Sequence, residues 1–174
     1  MELSGERARE INMAKATFAA GCFWGVEDAF AQLKGVKSTT VGYTGGSKVN
    51  PTYKEVCTGT TGHAEAVDVE FDPEQVSYRE LLALFFQSHD PTTLNRQGPD
   101  FGTQYRSAIF FHDAEQEAAA RESKAALEKA GIFKRPIVTQ IVEAEPFYRA
   151  EEYHQKYFEK NGMKSCHLPF AGRA

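Results

Sequence analysis

At 174 residues, 41% hydrophobic and 25% charged, the chain is long enough for one ordinary globular core and too apolar for a disordered or fibrous protein. Its net charge of −4, from 20 basic and 24 acidic residues without a basic stripe, argues against nucleic acid as a partner. No apolar run approaches the roughly 18 residues of a membrane span, and three cysteines are too few for a disulfide framework.

Residues 1–12 are charged and lack an apolar leader core, so they read as a flexible tail on a cytoplasmic protein, with a single domain from 13 to 174. Ala16–Ala20 predicts a buried strand, and Val26, Ala29, Phe30 and Leu33 recur afterwards at helical spacing up to Gly35. Between them Gly21-Cys22-Phe23-Trp24-Gly25 sets Cys22 at a strand-to-helix junction. Unpaired amides and the positive end of the helix dipole there favour an anion, so the thiolate is expected to form more easily than on a free cysteine.

Val36–Tyr43 predicts a second strand, and Thr44–Pro51 a glycine-containing loop whose spacing matches no nucleotide fingerprint. Thr52–Cys57 is too short for a full element, and Cys57 is assigned a structural role. His63–Phe71 alternates as a half-buried strand, with Val67, Val69 and Phe71 on one face. Period two puts Glu65 on that same apolar face, where desolvation raises a carboxyl pKa and leaves a general acid.

Ser77 and Glu80 form a capping-box pattern ahead of Leu81, Leu82, Leu84, Phe85 and Phe86, a core helix ended by His89-Asp90-Pro91. Thr92–Thr103 is a loop long enough to be functional, followed by a strand over Gln104–Phe111. Asp113 then caps a charged helix stopped by Gly131. Pro136–Val142 predicts the last strand, and Ala150–Glu159 a helix carrying Tyr153, His154, Tyr157 and Phe158 as a core stripe. Residues 161–174 form an irregular, mobile tail in which Lys164 and His167 favour the Cys166 thiolate. The order β-α-β-β-α-β-α-β-α predicts an α+β two-layer sandwich with a mixed sheet and a ferredoxin-like, split βαβ core.

A nucleophilic cysteine, a buried acid and a second thiol on a tail fit redox chemistry, in which the first cysteine takes an oxygen and the second converts the sulfenic acid to a disulfide. The oxygen donor could be a peroxide or a sulfoxide. Phe23 and Trp24 beside Cys22 make an apolar pocket better suited to a methionine methyl than to peroxide. A thiol peroxidase, a cysteine hydrolase using Cys22 and a non-enzymatic methionine-binding module remain the alternatives. The histidines lack zinc-like spacing, and no metal is expected.

Seven runs in order carry a resemblance: Gly21–Glu27, Gly42–Gly46, Asn50–Tyr53, Gly62–Ala66, His89–Pro91, Gly102–Ser107 and His154-Gln155. From about Thr17 to Cys166 the chain resembles the peptide methionine sulfoxide reductases of the A type. The resemblance implies that Cys22 attacks the sulfoxide sulfur, that Glu65 protonates the departing oxygen, and that Tyr53 and Tyr105 hydrogen-bond it. It further implies a methyl pocket from Phe23 and Trp24, a substrate-holding Asp100, and Cys166 as the resolving thiol. The implied substrate is the S epimer of methionine sulfoxide, free or in oxidised proteins. The reductant is thioredoxin or another dithiol, no cofactor is bound, and the chain is read as a monomer. The tail Met163-Lys164-Ser165-Cys166-His167 departs from the glycine and tyrosine that often surround this cysteine, and no further recycling cysteine follows.

Overall fold

The computed structural model describes residues 12–163. Residues 1–11 of the expected N-terminal tail, Cys166 and the rest of residues 164–174 therefore lie outside the described residues. The first strand, β1 (Ala14–Ala20), leads through Gly21 into α1 (Phe23–Ala31), and β2 (Val36–Thr44) returns antiparallel to the strand that follows. Next come the short helix α2 (Tyr53–Cys57), β3 (Ala64–Phe71) and α3 (Tyr78–Gln87). A two-residue ribbon, β4 (Arg96–Gln97) with β5 (Asp100–Phe101), precedes a 3-10 turn over Thr103–Tyr105 and β6 (Ser107–Phe111). The chain continues as α4 (Ala114–Ala130), β7 (Gln140–Glu143), β8 (Tyr148–Arg149), a 3-10 turn over Glu152–His154 and α5 (Tyr157–Lys160).

Six strands form one sheet in the order β7-β6-β1-β3-β2-β8. Its central four, β6-β1-β3-β2, are all antiparallel and have the predicted split βαβ arrangement, while β7 adds parallel to β6 and makes the sheet mixed. One sheet face and the helices enclose the main core. Within it Phe18 stacks on Phe30 at 5.0 Å and on Phe85 at 5.3 Å, and all three are fully buried. The opposite face carries a thinner alanine-rich cluster of Ala19, Ala64, Ala66 and Ala108 around Phe110.

The predicted caps form where their chemistry is local. The Ser77 hydroxyl accepts from the Glu80 amide, Asp113 accepts from the Gln116 amide, and Gly131 ends α4 in the left-handed region at φ 66°. Thr52–Cys57, expected to be too short for an element, is a helix because Thr52 and Glu55 close a reciprocal capping box. The expected strand over Pro136–Val142 shrinks to Gln140–Glu143, since Val138 N instead donates to the Pro91 carbonyl.

The single helix expected over Ala150–Glu159 is two short pieces. Lys156 takes φ 54°, a left-handed conformation that interrupts α-helical hydrogen bonding. Two side chains compete successfully with the helix here. The Gln155 amide pairs with both Val41 N and Val41 O, behaving like a strand partner for β2. The amide of Lys156 donates to Glu27 Oε1 at 2.7 Å.

Antiparallel pairing sets the position of the site. The end of β1 lies beside the start of β6, through Ala20↔Ser107, and the start of β3 lies beside the end of β2, through Tyr43↔Glu65. Cys22, Glu65 and Tyr105 therefore gather at one end of the sheet although they are far apart in sequence.

Candidate active site

Cys22 occupies the N-cap of α1 with φ −55° and ψ 120°. Gly21 ahead of it has φ 93°, and a Cβ there would lie 2.7 Å from Gln97 Cγ, so both the backbone turn and the close packing of the β4–β5 ribbon require glycine. The backbone N–H groups of Trp24 and Gly25 point at the Cys22 sulfur, as expected of unpaired amides at a helix start. The expected consequence does not follow. Burial, then the charges of Glu65 and Asp100, push the Cys22 thiol up to about 12, and the two amides offset only part of this. Desolvation of a sulfur anion outweighs the end of a nine-residue helix.

Glu65 is 2% exposed and lies, as predicted, on the face of β3 that carries Val67 and Val69. One carboxylate oxygen accepts from Phe23 N at 3.2 Å, which fixes the carboxyl beside the residue following Cys22. Burial raises its pKa to about 8, the Phe23 amide opposes this and the Asp100 charge adds to it. Glu65 is thus mostly protonated at neutral pH, so its own contribution to the Cys22 shift is largely absent there. Burial remains the leading cause.

Tyr53 on α2 and Tyr105 at the end of the 3-10 turn are half-buried. Burial comes first and the Glu65 charge contributes in holding both phenols well above the usual range, so they remain hydrogen-bond donors at any working pH. Asp100, opposite Gln97 in the ribbon, extends its field to Cys22, Glu65 and Tyr105. The ribbon is held in register by Gln97, whose side-chain amide bonds both the backbone N–H and the carbonyl of Asp90.

Phe23 and Trp24 form one wall with residues that the sequence pattern had assigned to core. Trp24 Nε1 donates to His154 Nδ1 at 2.9 Å, and the indole stacks on Tyr157 with ring centroids 3.8 Å apart and planes 8° apart. His154 is fully buried, with its ring 4.4 Å from Tyr53 and 5.2 Å from Phe23. Because its Nδ1 accepts, the neutral ring carries its proton on Nε2, which has no hydrogen-bond partner among the described residues and lies 3.8 Å from Glu151 Oε2. Burial lowers the His154 pKa and keeps it neutral. Glu151 also receives the Tyr43 hydroxyl, the Tyr53 amide and the Tyr153 hydroxyl.

A sequence profile described as peptide methionine sulfoxide reductase matches residues 14–173. The chain belongs to this family. It is therefore an oxidoreductase acting on methionine sulfoxide. It is 65% identical over 151 residues to the peptide methionine sulfoxide reductase MsrA of Methanosarcina acetivorans, covering 87% of this chain and 80% of the relative. Its fold is similar to that of reduced Mxr1 from Saccharomyces cerevisiae, with a TM-score of 0.82 at 37% identity over 89% of each chain. It is also similar to the same yeast protein in complex with Trx2, with a TM-score of 0.59 at 25% identity over 83% of this chain and 84% of that one.

Of the eight residues singled out from the reductase resemblance, seven gather at this end of the sheet, and the eighth, Cys166, lies outside the described residues. Cys57, read as structural, is exposed, and its thiol meets the Tyr53 side chain one helical turn away. His154, Tyr157 and Glu151 also stand at this end of the sheet, and the sequence pattern does not single them out as site residues. The His154-Gln155 pair was the available signal, but a helical stripe reading hid its direction. Among the described residues no helix is long and apolar enough to cross a membrane.

Proposed function

We propose that the protein reduces methionine S-sulfoxide, free or in oxidised proteins, with Cys22 as nucleophile and Glu65 as general acid. The observation that carries this reading is the carboxyl of Glu65, buried, raised to about 8 and bonded to the amide next to Cys22. A protonated acid one residue from a cysteine suits a reaction that must protonate an oxygen as its bond to sulfur breaks. The sulfoxide methyl lies against Phe23 and Trp24, its oxygen accepts from the Tyr53 and Tyr105 hydroxyls, and Asp100 helps hold the substrate.

The Cys22 sulfur attacks the sulfoxide sulfur. Glu65 gives its proton to the oxygen, which passes to Cys22, so that methionine leaves and Cys22 becomes a sulfenic acid. The thiol is oxidised by two electrons and the sulfoxide reduced by two. Cys166 then attacks the sulfenic sulfur, water departs and a Cys22–Cys166 disulfide forms. Thioredoxin or another dithiol returns it to two thiols. The yeast relative's association with Trx2 supports this last step. The charge balance and the absence of any long apolar helix among the described residues are compatible with a cytoplasmic repair enzyme.

The test is a single turnover of the reduced protein with methionine S-sulfoxide, counting methionine formed and thiols lost. One methionine and two lost thiols are expected in the wild type, and a trappable Cys22 sulfenic acid in Cys166→Ser. No methionine from the wild type overturns the reading.

A further inference from the structure

The mechanism makes no use of the buried carboxylate of Glu27. Glu27 lies one turn after Trp24 on α1 and is 2% exposed. Its Oε2 accepts from the Thr39 hydroxyl at 3.0 Å and its Oε1 from the Lys156 amide at 2.7 Å. The Lys156 ammonium reaches the same Thr39 oxygen at 3.3 Å. One acidic side chain of α1 thus binds a hydroxyl of β2 and the backbone of the C-terminal segment together.

Lys156 is where that segment turns. With φ 54° and ψ 38° it occupies a conformation that an L-residue other than glycine adopts only when something holds it there. The residues on either side of this turn grip one ring. His154 accepts from the Trp24 indole N–H on its edge, and Tyr157 covers the indole face at 3.8 Å. In a regular helix His154 and Tyr157, three residues apart, would stand side by side on one face; with the left-handed residue between them, one meets the indole edge and the other its face. The turn stands between the two contacts on Trp24, and its own amide is held by Glu27.

We propose that Glu27 is a positioning residue for the substrate's methyl pocket: its carboxylate holds the left-handed turn at Lys156, and the turn holds Tyr157 against the Trp24 indole. The inference rests on Trp24 forming that pocket, as the function above requires. Glu27 touches no reacting atom and acts only through Lys156 and Tyr157.

Trp24 is the chain's single tryptophan, so its fluorescence reports this contact directly and without turnover. Glu27→Leu, of similar volume but without an acceptor, should shift Trp24 emission to the red. It should also raise the sulfoxide concentration giving half-maximal single-turnover rate by about tenfold, in the range expected for loosening a methyl contact, while the limiting rate changes little. Glu27→Gln keeps an oxygen that can accept from Lys156 N and should recover most of both. A second pair tests the turn without touching the buried acid, in case Glu27→Leu fails to fold. Lys156→Val, which tolerates a positive φ poorly, should behave like the loosened variant, whereas Lys156→Gly should lie closer to wild type by both readouts. A folded Glu27→Leu with wild-type emission and half-saturation overturns the proposal. So does indistinguishable behaviour of the two Lys156 variants. Failure of the reductase reading itself would be a wild-type protein that forms no methionine, a result separate from any of the emission measurements.

Discussion

Replacing Glu65 by glutamine removes the acid while keeping its size, and the structure fixes the sign of two effects. The folded carboxyl holds its proton up to about pH 8, whereas in the unfolded chain it releases it near 4.5. Across that window the folded state binds more protons than the unfolded one, so the Glu65 contribution to stability is full below about 4.5 and is lost progressively as pH rises to about 8. At about 1.4 kcal/mol per pH unit, wild type should lose up to about 4 kcal/mol between pH 5 and 8 through this group, an upper bound because relaxation around the new charge reduces it. Urea unfolding of the reduced proteins at several pH values measures the difference, and Glu65→Gln should lack this slope. The kinetic effect has its own signature. If Glu65 must be protonated, the slope of log single-turnover rate against pH falls by one across pH 8 in wild type, and the bend is missing in Glu65→Gln, whose rate is lower by about 10²- to 10⁴-fold. Equal pH–rate curves for the two proteins, or a wild-type stability profile retained in the variant, would refute the assignment of Glu65 as a buried acid.

Asp100→Asn removes a charge that raises both Cys22 and Glu65, so the bend in the pH–rate profile should move to lower pH; an unmoved bend would separate Asp100 from the acid. In a Cys166→Ser background, alkylation by iodoacetamide at pH 8 should label exposed Cys57 at least about tenfold faster than Cys22, whose burial pushes the thiol up to about 12. Peptide mapping that found Cys22 labelled first would contradict this. Phe18→Ala, which empties the stack between Phe30 and Phe85, should cost about 3–5 kcal/mol of unfolding free energy in urea, and a loss under 1 would show that the core collapses around the gap.

The parts of the fold legible in the sequence are those fixed by local chemistry. Ser77, Asp113 and Gly131 mark helix ends because capping needs only neighbouring residues, and alternation along β3 put Glu65 on the buried face because side-chain direction in a strand has period two. The misread segments were those decided by distant partners. Nothing between Ala150 and Glu159 announces that Gln155 will pair with Val41, or that Glu27, 129 residues earlier, will capture the Lys156 amide. The same limit explains the Cys22 thiol. Its position at a helix start is a local fact, but its desolvation comes from surroundings assembled by tertiary packing, and these decide the pKa.

The raised Cys22 thiol gives the site a consistent charge balance. Three acidic groups, Cys22, Glu65 and Asp100, influence one another, and among the described residues the groups that offset the shifts of the first two are backbone amides. Such a site accommodates negative charge poorly, and burial leads in keeping the protons on both Cys22 and Glu65 at neutral pH. A neutral sulfoxide adds no charge, and in the proposed reaction its oxygen accepts from Glu65 and the two tyrosines. On the proposed roles, Glu65 gives up its proton as the sulfur–oxygen bond breaks, and at that moment the Cys22 proton becomes surplus because the sulfur is forming a bond. One proton leaves Glu65 for the oxygen while the thiol releases another. Sulfenic acid and methionine are both neutral, so the step consumes no net proton, and restoring Glu65 needs only the proton that Cys22 has lost. The burial that makes Cys22 a poor free thiolate thus couples its deprotonation to oxygen transfer.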